Sequence, residues 1–404
     1  MTAMPAMPAQ PQTTPSVLDE TMLARFAQRA PIYDRENRFF DEDFAELRDA
    51  GYLKIAVPED LGGAGLTLAA VAREQGRLAY YAPATALAVN MHLYWTGIAA
   101  DLRRQGDSSL EWLLREAAAG EIFAAGHGER GNDLPGLLST SRAERVEAGP
   151  DGESGYRVYG HKIFGSLTPV WTRLGLHAMW ASPEGPMIVH AFMPRDTPGY
   201  EIKATWDVLG MRATRSDDTV LDGAFVPDRY IGRLLPAGQP DAFILSLFAW
   251  ALGGFSSIYC AVARRALDLA LESAHRRTSL ALSRSMAYHP EVQHEVAEMQ
   301  LTLEAIQAQT ERMTADWTAG VDHGPLWAMK IVAAKHNAVE GAKRIVDLAM
   351  TVSGGTGMFK SNELERLYRD VRCGGFHPAN SLLVHEIVGK TALGIDLGEQ
   401  PRWG

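Results

Sequence analysis

The stretch 353–390, SGGTGMFKSNELERLYRDVRCGGFHPANSLLVHEIVGK, contains two glycine-rich loops and the helix predicted between them. The first loop, 353–357, ends an apolar helical run over 331–350, and its glycines let the backbone approach a ligand closely. The second loop, 373–378, places His377 on irregular backbone, where functional groups concentrate. Glycine pairs are also common at ordinary helix ends, so other segments must decide between a binding site and two simple helix ends.

Composition limits what this chain can do. Its 404 residues exceed the size at which one core usually divides, so two or three domains are expected. The net charge of -10 argues against a nucleic-acid or anionic-membrane partner. The two cysteines, Cys260 and Cys373, form neither a disulfide framework nor a zinc-type pair. A reducing, cytoplasmic setting and no metal site are therefore predicted.

The first residues, 1–16, are rich in Ala, Pro and Met and lack the basic start and apolar run of a secretion signal. They are predicted to form a disordered tail. An uninterrupted apolar segment of about twenty residues is needed to span a membrane. The best candidate, 243–259, is interrupted by a glycine pair and serines, so no membrane span is predicted.

Three textures follow one another along the chain. Apolar residues recur at helical spacing over 17–120, short alternating segments separated by Gly, Pro and Asp fill 121–235, and long helical patterns fill 236–404. These stretches are the predicted domains of a mostly α protein with a central β domain. The sequence contains no GxGxxG after a strand and no Walker loop, so any nucleotide is held in another way.

Five segments resemble, in the same order, motifs of the acyl-CoA dehydrogenase superfamily of flavoproteins. They are VPEDLGGAG (57–65), GHKIFGS (160–166), LGMRAT (209–214) running on to FVP (225–227), GGTG (354–357) and RDVR (369–372). The resemblance implies a helical N-terminal domain, a β-barrel middle domain and a C-terminal four-helix bundle. It also implies bound FAD, with FMN as the alternative.

The resemblance implies that the segment 160–166 is a strand that lies against the flavin ring. Phe164 would stack on the isoalloxazine and Ser166 would lie near its N5, because a flat ring needs a face contact and polar partners along one edge. Asn132, in the segment that ends in GND at 131–133, is a further implied cofactor contact. On the residues alone, a core phenylalanine and a turn serine explain the same stretch equally well.

The resemblance also implies that the adenine and pyrophosphate of FAD reach a neighbouring subunit. Gly354, Gly355 and Gly357 would contact that part of the cofactor. Arg277 lies near the arginine that the family uses there, although a strict alignment puts Ser279 on that position. A homodimer or homotetramer is therefore predicted.

The chain departs from the family where the catalytic base should be. The loop position of the usual glutamate is Pro378, which follows His377 and has no base to offer. A second family location for the carboxylate, 247–254, reads LFAWALGG. The segment 126–133, GHGERGND, departs in its first half from the TEPxxGSD-like run of many members.

Three functions remain open at this point. In the first, His377 replaces the glutamate as the base of an acyl-CoA dehydrogenase, since a histidine titrates near neutrality. In the second, His377 and Ser166 serve a flavin-oxygen adduct, as in flavin-dependent monooxygenases of the same fold. In the third, a flavin-binding relative has lost catalysis. The GGxG loop and the segment 209–227 look closer to the dehydrogenases, which the sequence modestly favours.

Both enzyme functions give His377 and Ser166 as the catalytic candidates. Both also call for a small hydrophobic substrate, which is an acyl-CoA in the first case. The electron acceptor, or the reductase that supplies reduced flavin, is left open by the sequence.

Overall fold

The computed structural model describes residues 16–150 and 152–399. The predicted tail lies outside the described residues except for Ser16. Within the described residues the protein is mostly helical with one central sheet, as the sequence predicted.

Five helices precede the sheet. Asp19 caps the first of them by accepting a hydrogen bond from the Met22 amide at 2.7 Å. The fourth begins with a proline in its first turn and is buried over nearly all of its length, which makes it the core helix of this region. The helices are α1 (Glu20–Glu36), α2 (Asp41–Asp49), α3 (Leu68–Tyr81), α4 (Pro83–Arg104) and α5 (Glu111–Ala119).

Eight strands form the central sheet, with the pairing order β6-β7-β3-β2-β4-β5-β8 and with β1 parallel to β4. The edge strands β6 and β8 are not paired with each other, so the predicted barrel is an open sheet within the described residues. The strands are β1 (Phe123–Gly126), β2 (Arg142–Val146), β3 (Gly155–Lys162), β4 (Arg173–Ser182), β5 (Gly185–Pro194), β6 (Tyr200–Lys203), β7 (Asp218–Pro227) and β8 (Ile231–Pro236).

Five helices follow the sheet: α6 (Ala242–Arg276), α7 (Pro290–Thr318), α8 (Leu326–Ser353), α9 (Glu363–Cys373) and α10 (Ser381–Leu393). A short hairpin of β9 (Thr278–Ser279) and β10 (Arg284–Ser285) joins α6 to α7. The helices α6, α7 and α8 pack on one another, and α9 and α10 pack on α8. Helix α6 is long and apolar enough to cross a membrane, but 83% of its apolar window is buried in the protein, as in the core helix of a soluble protein.

A junction on α9 connects the three regions. The Arg369 guanidinium forms an ion pair with Asp34 of α1 at 2.6 Å and donates to the Leu209 carbonyl at 3.0 Å. The next residue, Asp370, accepts a hydrogen bond from the Met211 amide at 2.5 Å. A Cβ at Gly210 would lie 2.4 Å from the Arg369 carbonyl oxygen, so only glycine permits this close approach.

Several buried histidines are neutral at physiological pH. Burial lowers the pKa of His92 and of His190 to about 4, and the pKa of His127 to about 3. The pKa of His177 is also well below its usual value, again because of burial. The two ring nitrogens of His190 are buried without a hydrogen-bond partner in the described part of the chain.

We predict that these histidines make the protein sensitive to acid. In the unfolded chain a histidine is protonated below about pH 6.5, whereas the buried ring of His190 stays neutral until about pH 4. The free energy of unfolding therefore falls as the pH drops between these two values. The shift at His190 corresponds to about 3 kcal/mol. His190→Phe keeps an aromatic ring without a titrating group, and it should therefore flatten the decline in Tm between pH 6.5 and 4.

The matched control is His294→Gln, at an exposed position on α7. This variant should follow the wild-type dependence of Tm on pH. An unchanged acid decline in His190→Phe would show that the buried ring does not carry the effect.

Candidate active site

A cavity of about 410 Å³ lies between α4, the end of β1, the turn after β3, the segment 206–216, α6 and the loop 372–380. Four residues that the sequence analysis selected line this one cavity, although they come from distant parts of the chain. They are Asn132, Phe164, Ser166 and His377.

Phe164 and Ser166 lie beyond the strand on which the resemblance placed them. Strand β3 ends at Lys162, and Phe164 has a positive φ of 60° that turns the chain out of the sheet. The prediction of a strand through Ser166 was therefore wrong by a few residues. As a result the Phe164 side chain is 56% exposed and makes an edge contact with Trp206 at 6.0 Å.

The rim of the cavity is unusually apolar for a protein surface. Leu209 and Phe376, which also line the cavity, are 60% and 81% exposed. Such exposed apolar groups around a cavity indicate a surface that a ligand covers.

A chain of hydroxyl groups runs behind the turn. The Oγ atoms of Ser166 and Ser216 are 2.8 Å apart, and the Ser216 Oγ is 2.7 Å from the Thr214 Oγ1. Thr214 in turn donates to the Met211 carbonyl at 2.9 Å. The three hydroxyl side chains are buried and line the cavity.

His377 is held by aromatic residues of α6. Its Nε2 lies 2.8 Å from the Tyr259 hydroxyl, and its ring stacks on Phe255 with centroids 4.8 Å apart. Burial and, to a smaller extent, the nearby Lys335 ammonium lower the pKa of His377 to about 3. The imidazole is therefore neutral at pH 7.

The hydrogen-bond network assigns the tautomer of that ring. Tyr259 is fully buried, and His377 is the only partner of its hydroxyl in the described part of the chain. A buried phenol hydroxyl needs an acceptor, so Tyr259 donates a hydrogen bond to Nε2 of His377. The ring proton of the neutral imidazole is therefore on Nδ1.

Lys335 of α8 fixes the backbone on both sides of Pro378. Its ammonium donates to the carbonyl oxygens of His377 and Ala379, at 3.0 and 2.8 Å. The residue is only 2% exposed, and burial lowers its pKa to about 7. A buried ammonium that is held by carbonyl groups is costly, which indicates that this loop geometry matters to the protein.

The side chain of Asn132 makes its hydrogen bonds within its own loop. Its amide nitrogen donates to Glu129 at 2.9 Å and to the Leu138 carbonyl at 2.7 Å, and its oxygen accepts from the Leu134 amide at 3.0 Å. Glu129 is itself paired with the buried Lys162 at 2.5 Å. Burial would raise the pKa of Glu129, but the Lys162 charge and several hydrogen bonds lower it to about 2.

The predicted nucleotide contacts do not line this cavity. Gly354 has a positive φ of 65° and starts the turn 354–358 that follows α8. The Arg277 guanidinium donates to the Val352 carbonyl at 2.7 Å and lies 3.1 Å from where a Cβ of Gly354 would be. Gly355 and Gly357 belong to the same turn. Arg277 and the glycine loop are therefore neighbours, away from the ring of His377.

Sequence reasoning missed Tyr259, Lys335 and the pair Thr214 and Ser216. Lys335 did leave a signal, because it falls on the buried face of α8 at helical spacing with Ile331, where a lysine is out of place. Thr214 also left a signal, since it ends the LGMRAT motif at 209–214, whereas Tyr259 and Ser216 left none, because only the folded chain brings them against His377 and Ser166.

Comparison with known proteins shows the family to which the chain belongs. Residues 16–106 match the acyl-CoA dehydrogenase N-terminal domain model, and residues 254–381 match the C-terminal domain model. The chain belongs to the acyl-CoA dehydrogenase superfamily. This confirms the predicted family and fold class.

Relatives differ in their chemistry. The amino sugar nitrososynthase DnmZ of Streptomyces peucetius is 31% identical over 396 residues, 90% of this chain and 91% of that protein. A putative acyl-CoA dehydrogenase of Bacillus subtilis, YdbM, is 28% identical over 374 residues, 90% of this chain and 93% of that protein. The solved structure of KijD3 with FMN and a dTDP-linked amino keto sugar is 26% identical with a TM-score of 0.81, over 93% of this chain and 92% of that one.

Proposed function

We propose that the protein is a flavin-dependent monooxygenase that oxygenates a small substrate in the cavity at His377. The observation that carries the proposal is the contact of His377 Nε2 with the buried Tyr259 hydroxyl at 2.8 Å, which occupies that ring nitrogen. An imidazole with a pKa of about 3 is a poor base for an α-proton at neutral pH.

Neither location that the family uses for the base that removes an α-proton carries a carboxylate in this chain. The loop position of the family's glutamate is Pro378, and the face of α6 that lines the cavity is apolar. The lining residues of α6 are Leu247, Phe248, Ala251, Leu252 and Phe255. The carboxylates that line the cavity, Glu129 and Asp133, both lie on the segment after β1, and Glu129 is held by Lys162. The cavity thus argues against the dehydrogenase that the sequence modestly favoured.

The cavity suits a flavin ring. Exposed Phe164, Leu209 and Phe376 offer apolar faces for a flat ring, and the Ser166 hydroxyl offers a polar contact beside them. KijD3, a structural neighbour at 26% identity, was solved with FMN. Phe164 and Ser166 are proposed to hold the ring, with Ser166 near N5.

When bound in its reduced form, the flavin supplies the two electrons that activate molecular oxygen. The overall change converts substrate, oxygen and reduced flavin into oxygenated substrate, water and oxidised flavin. The neutral His377 is proposed to donate a hydrogen bond from Nδ1 to the reacting oxygen, while Tyr259 holds the ring in that tautomer. The amino sugar nitrososynthases among the relatives support the oxygenase class.

The nucleotide part of FAD is proposed to extend to a partner subunit. Arg277 and the turn 354–358 lie together but outside the cavity, so they suit a cofactor that comes from another copy. Exposed apolar side chains lie in and beside the same two segments, where a subunit contact would cover them. They are Leu280 (97% exposed), Met358 (72%) and Phe359 (66%). The active protein is then at least a dimer.

The reaction test uses flavin-loaded protein. Mixed anaerobically with butyryl-CoA, its oxidised flavin should keep its absorbance, because the loop position of the family's glutamate is Pro378 and His377 is a poor base. Chemically reduced protein mixed with oxygen should reoxidise in two kinetic phases. His377→Leu, which has no N–H group to donate, should release hydrogen peroxide about tenfold faster, which is the effect of losing one hydrogen bond of ~1.4 kcal/mol.

The control for that test is His385→Leu, at an exposed histidine of α10. It should release peroxide at the wild-type rate. Anaerobic bleaching of the wild-type flavin by butyryl-CoA, abolished in His377→Leu, would sink the monooxygenase proposal and support a dehydrogenase.

The cofactor test compares FAD with FMN, which lacks the adenylate part. Arg277→Gln should weaken the binding of FAD about tenfold, the typical effect of one charge-assisted hydrogen bond, and leave FMN binding unchanged. Arg276→Gln, at the exposed neighbouring position, is the matched control and should change neither affinity. Equal losses for FAD and FMN in Arg277→Gln would mean that Arg277 acts on the fold alone.

A further inference from the structure

The direction of hydrogen bonding along the hydroxyl chain behind the turn follows from counting the hydrogen bonds that each direction allows. In one arrangement Ser166 donates to Ser216, Ser216 donates to Thr214, and Thr214 donates to the Met211 carbonyl. All three hydroxyl hydrogens then have an acceptor inside the protein. The Ser166 oxygen is left with free lone pairs toward the cavity.

The reverse arrangement satisfies one hydrogen fewer. If Thr214 donates to Ser216 and Ser216 donates to Ser166, the Thr214 bond to Met211 is lost, and the Ser166 hydrogen must find its acceptor in the cavity. Ser216 and Thr214 are 3% and 1% exposed, so bulk water does not repair that loss. The first direction is favoured by one hydrogen bond, and Ser166 therefore faces the cavity as an acceptor.

We propose that Ser216 and Thr214 polarise Ser166 so that the protein binds reduced flavin more tightly than oxidised flavin. Reduced flavin carries a hydrogen on N5, which an acceptor at Ser166 holds, whereas the N5 of oxidised flavin is itself an acceptor and meets lone pairs. The inference rests on the flavin site proposed above, with Ser166 near N5. It names two residues, neither of which needs to touch the substrate, as positioning residues that set the redox preference.

The size of the preference follows from one hydrogen bond. Reversing the chain to donate to oxidised N5 gives up a bond whose loss changes affinity about tenfold. For the two-electron flavin couple a tenfold change corresponds to about 30 mV. Because the reduced form binds more tightly, the midpoint potential of the bound flavin is raised by about that amount.

The test measures the midpoint potential of bound flavin, without substrate and without oxygen. Ser216→Ala removes the acceptor of the Ser166 hydrogen, so Ser166 becomes free to donate to oxidised N5 and the potential should fall by about 30 mV. Thr214→Val removes the anchor at Met211 and should shift the potential in the same direction. The ratio of dissociation constants for oxidised and reduced flavin, measured separately, should change about tenfold in both variants.

The matched control is Thr168→Val. Thr168 is a buried threonine of the same turn whose hydroxyl donates to the Gly165 carbonyl at 2.5 Å, outside the chain of hydroxyls. Its potential should stay at the wild-type value. An unchanged potential in Ser216→Ala, or an equal fall in Thr168→Val, would overturn this inference and leave the monooxygenase proposal standing. Protein that binds neither redox form would overturn both.

Discussion

The docking of the segment 208–216 on helix α9 is the contact on which the rest of the site depends. Arg369 ties that segment to α1, and Asp370 holds the Met211 amide in a buried position. Burial raises the pKa of Asp370 to about 6, against the lowering effect of Arg366 and of the Met211 amide. Because this junction fixes Met211, the Met211 carbonyl oxygen can accept the hydrogen bond of Thr214. The junction thereby sets the direction of the hydroxyl chain in the cavity wall.

The cavity wall at His377 also contains buried polar groups that are held in place by hydrogen bonds. Tyr259 orients the His377 ring, and Lys335 orients its backbone. Burying the Tyr259 hydroxyl and the Lys335 ammonium costs the free energy of removing them from water, which an apolar core would avoid. Together they produce an imidazole that is neutral and directional, and therefore suited to hydrogen bonding rather than to proton removal. The proposed chemistry of the site follows from this difference more than from the family's fold.

The sequence predicted much of the fold and part of the site. Helical periodicity predicted the long helices that precede and follow the central sheet, since long amphipathic patterns are strong signals. The motif resemblance selected Phe164, Ser166 and His377, and all three line one cavity in the structure, although their assigned roles remain predictions. It misjudged where β3 ends, because the left-handed turn at Phe164 is a non-glycine conformation that sequence patterns do not reveal. Hydrogen-bond direction was also out of reach, since Ser166 and Ser216 lie 50 positions apart.

The proposed oxygenase chemistry requires that His377 is a neutral hydrogen-bonding group and not a base. The most direct measurement is the titration of its ring by NMR in histidine-labelled protein, with the resonance assigned from the His377→Gln spectrum. We expect an imidazole that stays neutral from pH 8 down to below about pH 5, with its proton on Nδ1. A ring that titrates near pH 6.5, or that carries its proton on Nε2, would contradict it.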